Sequence, residues 1–239
     1  MLNEVNEKLR RVLFLDVETV PQKPSYKDLD ENWQELWAKK MRGAIEREEV
    51  EPGEIYDRAG IYSEFGKIVC ISVGHFENEE ATSFRMKSFY GNDEVKILRN
   101  FSEMLNSSSV ISLCAHNGKE FDFPYIARRC LINGLRIPVL LDNAGKKPWE
   151  VSNFDTMELW KFGDYKSYTS LNLLATSFGI RSPKDDIDGS DVWRVYWEEN
   201  DVERIMIYCQ KDVETVARLF LKFMHPGKTF DFNIQYIEQ

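Results

Sequence analysis

Val12-Leu13-Phe14-Leu15-Asp16-Val17-Glu18-Thr19 is the stretch on which the reading of this chain turns. Four bulky apolar residues run straight into two carboxylates separated by one residue. In an extended strand the side chains at i and i+2 share a face. Asp16 and Glu18 are therefore expected side by side at the end of a buried strand covering about residues 11–16. Two like charges beside apolar surroundings repel each other and resist desolvation. They are tolerated when protonated, when paired with a base, or when they share a cation, and no basic residue follows until Lys23. Hard divalent ions take carboxylate oxygens and retain waters for chemistry. A lone D-x-E is nonetheless better read as an exposed turn, so its meaning depends on the rest of the chain.

The composition bounds the answer. With 239 residues, 43% hydrophobic and 13% aromatic, the chain is expected to form one globular domain with an insertion. Its apolar runs fall short of a membrane span, and the polar residues 1–11 lack the form of a signal peptide. Cys70, Cys114, Cys130 and Cys209 are dispersed through apolar-periodic segments. They read as buried, reduced thiols of a cytoplasmic protein. With three histidines and no ligand cluster, a structural zinc is not expected. The net charge of -9 argues against broad coating of nucleic acid, although a metal centre itself concentrates carboxylates.

Outward from the first strand, 20–65 is a long connection. Trp33, Leu36, Trp37, Met41, Ala44 and Ile45 recur there at helical spacing, predicting a helix over 29–49 that packs on the core. Strands are expected at 67–74, 82–89 and 110–115, with a helix over 92–106 capped by Asn92 or Asp93. That order suits an α/β fold with a mixed sheet flanked by helices. His116 to Ile126 then joins a strand to a helix reaching about 133, with Gly134 as its stop. Asp122 followed by Pro124 makes a good N-cap, but a carboxylate at this junction also faces the strand ends. His116 reads as a structural hydrogen-bonding group. Asp155 is expected to cap a helical stretch starting at 154, with a contribution to the site as its second reading, and Leu171, Leu174, Ala175 and Phe178 mark a helix ending at Gly179. The acidic segment 182–192 superficially suggests a calcium loop, yet Lys184 occupies its first ligand position and Val195 its twelfth. It reads as a turn near the substrate groove.

The last major element, 201–224, carries an inward stripe of Val202, Ile205, Cys209, Val213, Val216 and Phe220. Asp212 falls on that stripe, where a carboxylate is costly without a cation or strong donors. Tyr208 lies one turn earlier, beside Asp212.

The ordered set D-x-E (Asp16, Glu18), N-x-x-x-F-D (Asn117, Phe121, Asp122) and Y-x-x-x-D (Tyr208, Asp212) resembles the DEDD superfamily of 3′–5′ exonucleases. The closest branch is the tyrosine-containing one, typified by the exonuclease domain of family B DNA polymerases, here without a polymerase. The resemblance implies a ribonuclease H-like fold. It implies that Asp16, Glu18, Asp122 and Asp212 hold two Mg2+ or Mn2+ ions and that Tyr208 orients the attacking water. It places Thr19 and Asn117 near the terminal nucleotide, with Phe121 either packing or stacking on a base. The implied substrate is the 3′ end of single-stranded DNA, and the products are nucleoside 5′-monophosphates. The implied setting includes a replication or repair protein as partner and no membrane. RNA trimming, or a catalytically silent nucleic-acid-binding or partner-docking module using the Trp-bearing insertion, are the alternatives. Lys119, Arg128, Arg129, Lys146, Lys147, Arg181 and Lys184 read as solvated surface charges.

Overall fold

The computed structural model describes residues 6–238 other than 165, 167 and 182–185. Among the described residues six strands, β1 (Val12–Pro21), β2 (Gly66–Phe76), β3 (Ser83–Tyr90), β4 (Ser112–Ala115), β5 (Phe154–Asp155) and β6 (Asn233–Ile237), form one sheet. Their order is β5-β4-β1-β2-β3-β6. The pairs β1–β2 and β2–β3 are antiparallel. The pairs β1–β4, β4–β5 and β3–β6 are parallel, so the sheet is mixed as expected.

β1 is nearly all apolar because both of its faces are covered. Leu13, Leu15 and Val17 point into a core with Phe101 of α3 (Glu94–Ser107) and Ile126 of α4 (Asp122–Ile132). Val12 and Phe14 face Val213, Val216 and Phe220 of α8 (Val202–Met224). β1 is longer than expected and corrects one reading: Asp16 and Glu18 stand inside the strand, not at its end. Val17 and Val20 are buried as well, and β2 continues to pair with β1 out to Pro21 opposite Gly66. What ends near the carboxylates is the parallel neighbour. β4 pairs with β1 from Val12 to Phe14 and no further. A bulge follows: Glu18 pairs with Cys70 and Thr19 with Ile68, leaving Val69 as the extra residue.

The helix expected over 29–49 is two helices, α1 (Glu31–Lys40) and α2 (Arg42–Glu48), broken at Met41. Trp37 is fully buried and donates its indole N–H to Pro52 O at 2.8 Å, while Leu36 points outward. With Met41, Ile55, Tyr56, Ala59 and Phe65, Trp37 forms a small core belonging to the insertion itself. α5 (Thr156–Lys161) and α6 (Leu171–Ser177) lie where helices were expected, although 154–155 is a short strand ahead of α5. α7 (Val192–Trp197) was not anticipated. Of the acidic segment 182–192, residues 182–185, Lys184 among them, lie outside the described residues.

One polar contact inside the fold fixes α4. Arg129 is buried and grips Glu94 with Nε at 2.8 Å and Nη2 at 2.5 Å. Its Nη1 donates to Ser63 O at 2.8 Å. Glu94 also accepts from Ile68 N of β2 and from Asn133 Nδ2. α3, α4, β2 and the end of the insertion are thus joined through one ion pair. Arg129 is therefore not the solvated surface charge expected from the sequence.

Candidate active site

Asp16 and Glu18 project from the face of β1 that α8 covers, at the point where β4 has stopped pairing. Glu18 is 8% exposed, and Oδ2 of Asp16 is buried with no hydrogen-bond partner. The two carboxyl groups lie within hydrogen-bonding reach of one another. Two carboxylates can adopt that arrangement only with a shared proton or a cation. Asp122 arrives from α4. It is the first helical residue, not the cap, and its Oδ1 accepts from Val17 N of β1 at 3.2 Å. Asp212 arrives from α8 and is felt electrostatically by Asp16, Glu18 and Asp122. The chain therefore brings together the four carboxylates singled out from the sequence.

Their mutual cost is visible in their protonation. Burial, followed by Glu18, Asp212 and Asp122, pushes Asp16 well above the usual carboxylate range. Glu18 is raised by burial and then by Asp212. Asp122 is pushed up to about 7, chiefly by burial, with Asp155 and Asp212 adding to it and hydrogen bonds from backbone N–H groups opposing it. No lysine or arginine pairs with Asp16, Glu18 or Asp122 among the described residues. Oxygen ligands gathered in this way suit a hard divalent cation. Asp16, Glu18 and the Cys209 thiol offer ligand atoms that all lie within 4.8 Å of one another.

These shifts carry a sign. In the folded chain these carboxyls hold their protons at a pH where the unfolded chain, with carboxylate pKa near about 4, has lost them. The folded state binds more protons, so stability falls as pH rises from about 4 through the raised folded values, about 7 for Asp122. With a chelator present, thermal melts should show a lower midpoint at pH 8 than at pH 6. Asp16→Asn should flatten that slope. An unchanged slope in the variant would count against the charge cluster.

Tyr208 is buried on α8, with its hydroxyl hydrogen-bonded to Asp212. Burial first, then Asp212, Glu18 and Asp16, raise the phenol far above its ordinary range, so it keeps its proton. It can hold a hydrogen bond but cannot act as a base. Thr19 is half-buried beyond the bulge, its side chain beside the Tyr125 hydroxyl. That hydroxyl donates to Gly60 O at 2.7 Å, tying the end of the insertion to the site. A Cβ on Gly66 would come within 2.3 Å of the same oxygen, so glycine is required there. Asn117 has a left-handed backbone, φ 63°, and its N–H donates to Asp155 Oδ1. Phe121 is half-buried, its ring packed 5.2 Å from that of Tyr125. His116 bonds Thr156 Oγ1 and Thr169 O and is a structural group as expected.

Two further residues shape the site through contacts that their local sequence does not specify. Asp155 caps α5 through Met157 N and Glu158 N and also accepts from Asn117 N and Lys119 N. It thereby shapes the loop before Asp122, which a capping signal alone does not reveal. Cys209 is more than a buried thiol. It donates to Asp16 O at 3.4 Å, and its place next to Tyr208 was the only signal available.

A mixed sheet in this order, with carboxylates gathered where β4 stops pairing with β1, defines an α/β fold of the ribonuclease H-like class. The chain is similar to a solved family B DNA polymerase from the hyperthermophilic archaeon Pyrobaculum calidifontis, with a TM-score of 0.55 and 17% identity. The match covers 88% of this chain and 24% of the polymerase, and at that identity it speaks for the fold. Residues 61–238 match the family model described as a predicted 3′-5′ exonuclease related to the exonuclease domain of PolB, and the chain belongs to that family. The D-x-E pair lies ahead of the matched segment, so its assignment to the site rests on the geometry above.

Proposed function

We propose that this chain is a metal-dependent 3′–5′ exonuclease of the tyrosine-containing DEDD branch, a cytoplasmic enzyme that removes nucleoside 5′-monophosphates from single-stranded DNA. A replication or repair protein is the class of partner that such trimming serves. The observation that carries the reading is the convergence of Asp16, Glu18, Asp122 and Asp212, with no lysine or arginine among the described residues paired to the first three. The orphaned Asp16 Oδ2 supports it, because a buried carboxylate oxygen without a donor is an uncompensated cost unless an ion takes it.

Asp16, Glu18, Asp122 and Asp212 would hold two Mg2+ or Mn2+ ions. When bound, such ions lower the pKa of an attacking water and stabilise the departing 3′ oxygen. The chain's own residues do the rest. Asp122, fixed by Val17 N, sets the position of the α4 ligand against β1. Tyr208, held protonated against Asp212, orients the water and takes no proton from it. Thr19, Asn117 and Phe121 would contact the terminal nucleotide, as the family resemblance implies. Tyr208→Phe keeps the ring and loses the oriented hydroxyl. It should lower kcat about 10- to 100-fold, ~1.4–2.7 kcal/mol of barrier, with little change in KM. An unchanged kcat would remove Tyr208 from the mechanism.

The test is digestion of matched 5′-labelled single-stranded DNA and RNA with Mg2+, Mn2+ or EDTA. The expected result is a ladder that shortens from the 3′ end, requires metal and is faster on DNA. Faster loss of RNA would make the chain an RNA-trimming enzyme. Intact strands under every metal, with binding retained, would make it a binding module.

A further inference from the structure

The proposed chemistry calls for hard cations and oxygen ligands, and it leaves the sulfur at this site unused. Cys209 is fully buried on α8 and donates to the main-chain oxygen of Asp16 at 3.4 Å. Its Sγ, an oxygen of Asp16 and an oxygen of Glu18 lie within 4.8 Å of one another. The buried Asp16 Oδ2 independently lacks any partner. A tetrahedral zinc, with Zn–O about 2.0–2.2 Å and Zn–S about 2.3 Å, holds such ligands roughly 3.4–3.6 Å apart. Closing from the observed spacing requires shifts of the order of 1 Å.

We propose that Asp16, Glu18 and Cys209 form a two-oxygen, one-sulfur site for thiophilic divalent ions, Zn2+ foremost, and that occupation of this site blocks the hydrolytic centre. Mg2+ has no use for a thiol, whereas Zn2+ and Cd2+ take thiolate sulfur readily. On binding, the S–H bond breaks, the S–metal bond forms, and the proton leaves to solvent. No oxidant or reductant takes part. Three protein ligands leave the fourth position to water. An ion held this way occupies the Asp16 and Glu18 oxygens that the hard ions require, so it inhibits by exclusion. This consequence rests on the proposed exonuclease reading, but the ligand set does not.

The closing experiment separates the two. The full chain, with metal removed, is titrated with Cd2+ and with Co2+ while the ultraviolet charge-transfer absorption of a metal–thiolate bond is followed. Wild type should show one such band per chain. Cys209→Ser and Cys209→Ala should lose it, and Cys70→Ala, which removes the thiol hydrogen-bonded to Cys209, should keep it. Asp16→Asn should weaken Cd2+ binding at least about tenfold. In parallel, Zn2+ added to Mg2+-supported digestion should inhibit wild type at least about tenfold more strongly than Cys209→Ser, each measured against its own uninhibited rate. The absence of a thiolate band in wild type overturns the site, as does a band that persists in both Cys209 variants or vanishes only with Cys70. A band without Zn2+ sensitivity keeps the ligand set and overturns the inhibition. If no digestion occurs under any metal, the exonuclease reading fails while the absorption result still decides the ligand set.

Discussion

Asp16→Ala should abolish metal-dependent degradation, lowering the rate by at least about 10³-fold, ~4 kcal/mol of barrier, while leaving the protein folded. The size follows from position. Asp16 shares its field with Glu18, Asp122 and Asp212 and carries the unpartnered buried oxygen. Its loss would remove one of the four proposed ligands, and neighbouring oxygens would not replace it, since β1 and β2 fix its direction. The fold should survive because the deletion also relieves repulsion at a buried site, so the variant in EDTA should melt no lower than wild type. Steady-state digestion and a thermal melt on the same preparation check both halves. A variant that degrades DNA within tenfold of the wild-type rate would contradict the assignment.

Glu94→Ala should cost about 3–5 kcal/mol of stability, because it leaves Arg129 buried without its counter-charge. It also strands Ile68 N, which donates to Glu94, and takes one of two acceptors from Asn133 Nδ2, which keeps Arg129 O. The effect should reach the site. Arg129 lies two turns along α4 from Asp122, so a loosened α4 misplaces the carboxylate that Val17 N holds. Urea denaturation should show a large drop in midpoint, and activity below the melting temperature should fall as well. Replacing Glu94 and Arg129 together by Leu and Met should recover much of the stability, since removing both charges costs less than orphaning one. A loss below about 1 kcal/mol for Glu94→Ala would mean that solvent reaches the pair.

Three of the four carboxylate positions were legible because each broke a local pattern, whereas Asp122 looked like an ordinary helix cap. Asp16 and Glu18 interrupt an apolar strand, and Asp212 interrupts the inward stripe of α8. Two helix starts were legible through their caps, and Asp93 and Asp155 both accept from backbone N–H groups where helices begin. Features that depend on distant partners were not legible. The buried Glu94–Arg129 pair spans 35 residues and looks like two surface charges in the sequence. β6 is short and largely exposed and exists because β3 offers it an edge. β1 was cut short because two charges look like a boundary, although its pairing with β2 carries it past them. α7 is six residues long and follows an acidic turn, and its Trp197 is fixed by donation to Pro21 O at 3.2 Å, a contact 176 residues away.

The most direct test of the central claim is a crystal soaked in Mn2+ and measured for anomalous scattering, with Asp16→Asn treated alongside. The account predicts strong peaks among the carboxylates of Asp16, Glu18, Asp122 and Asp212, lost or reduced in the variant. Manganese bound elsewhere, with those four carboxylates empty at a concentration that supports digestion, would contradict it.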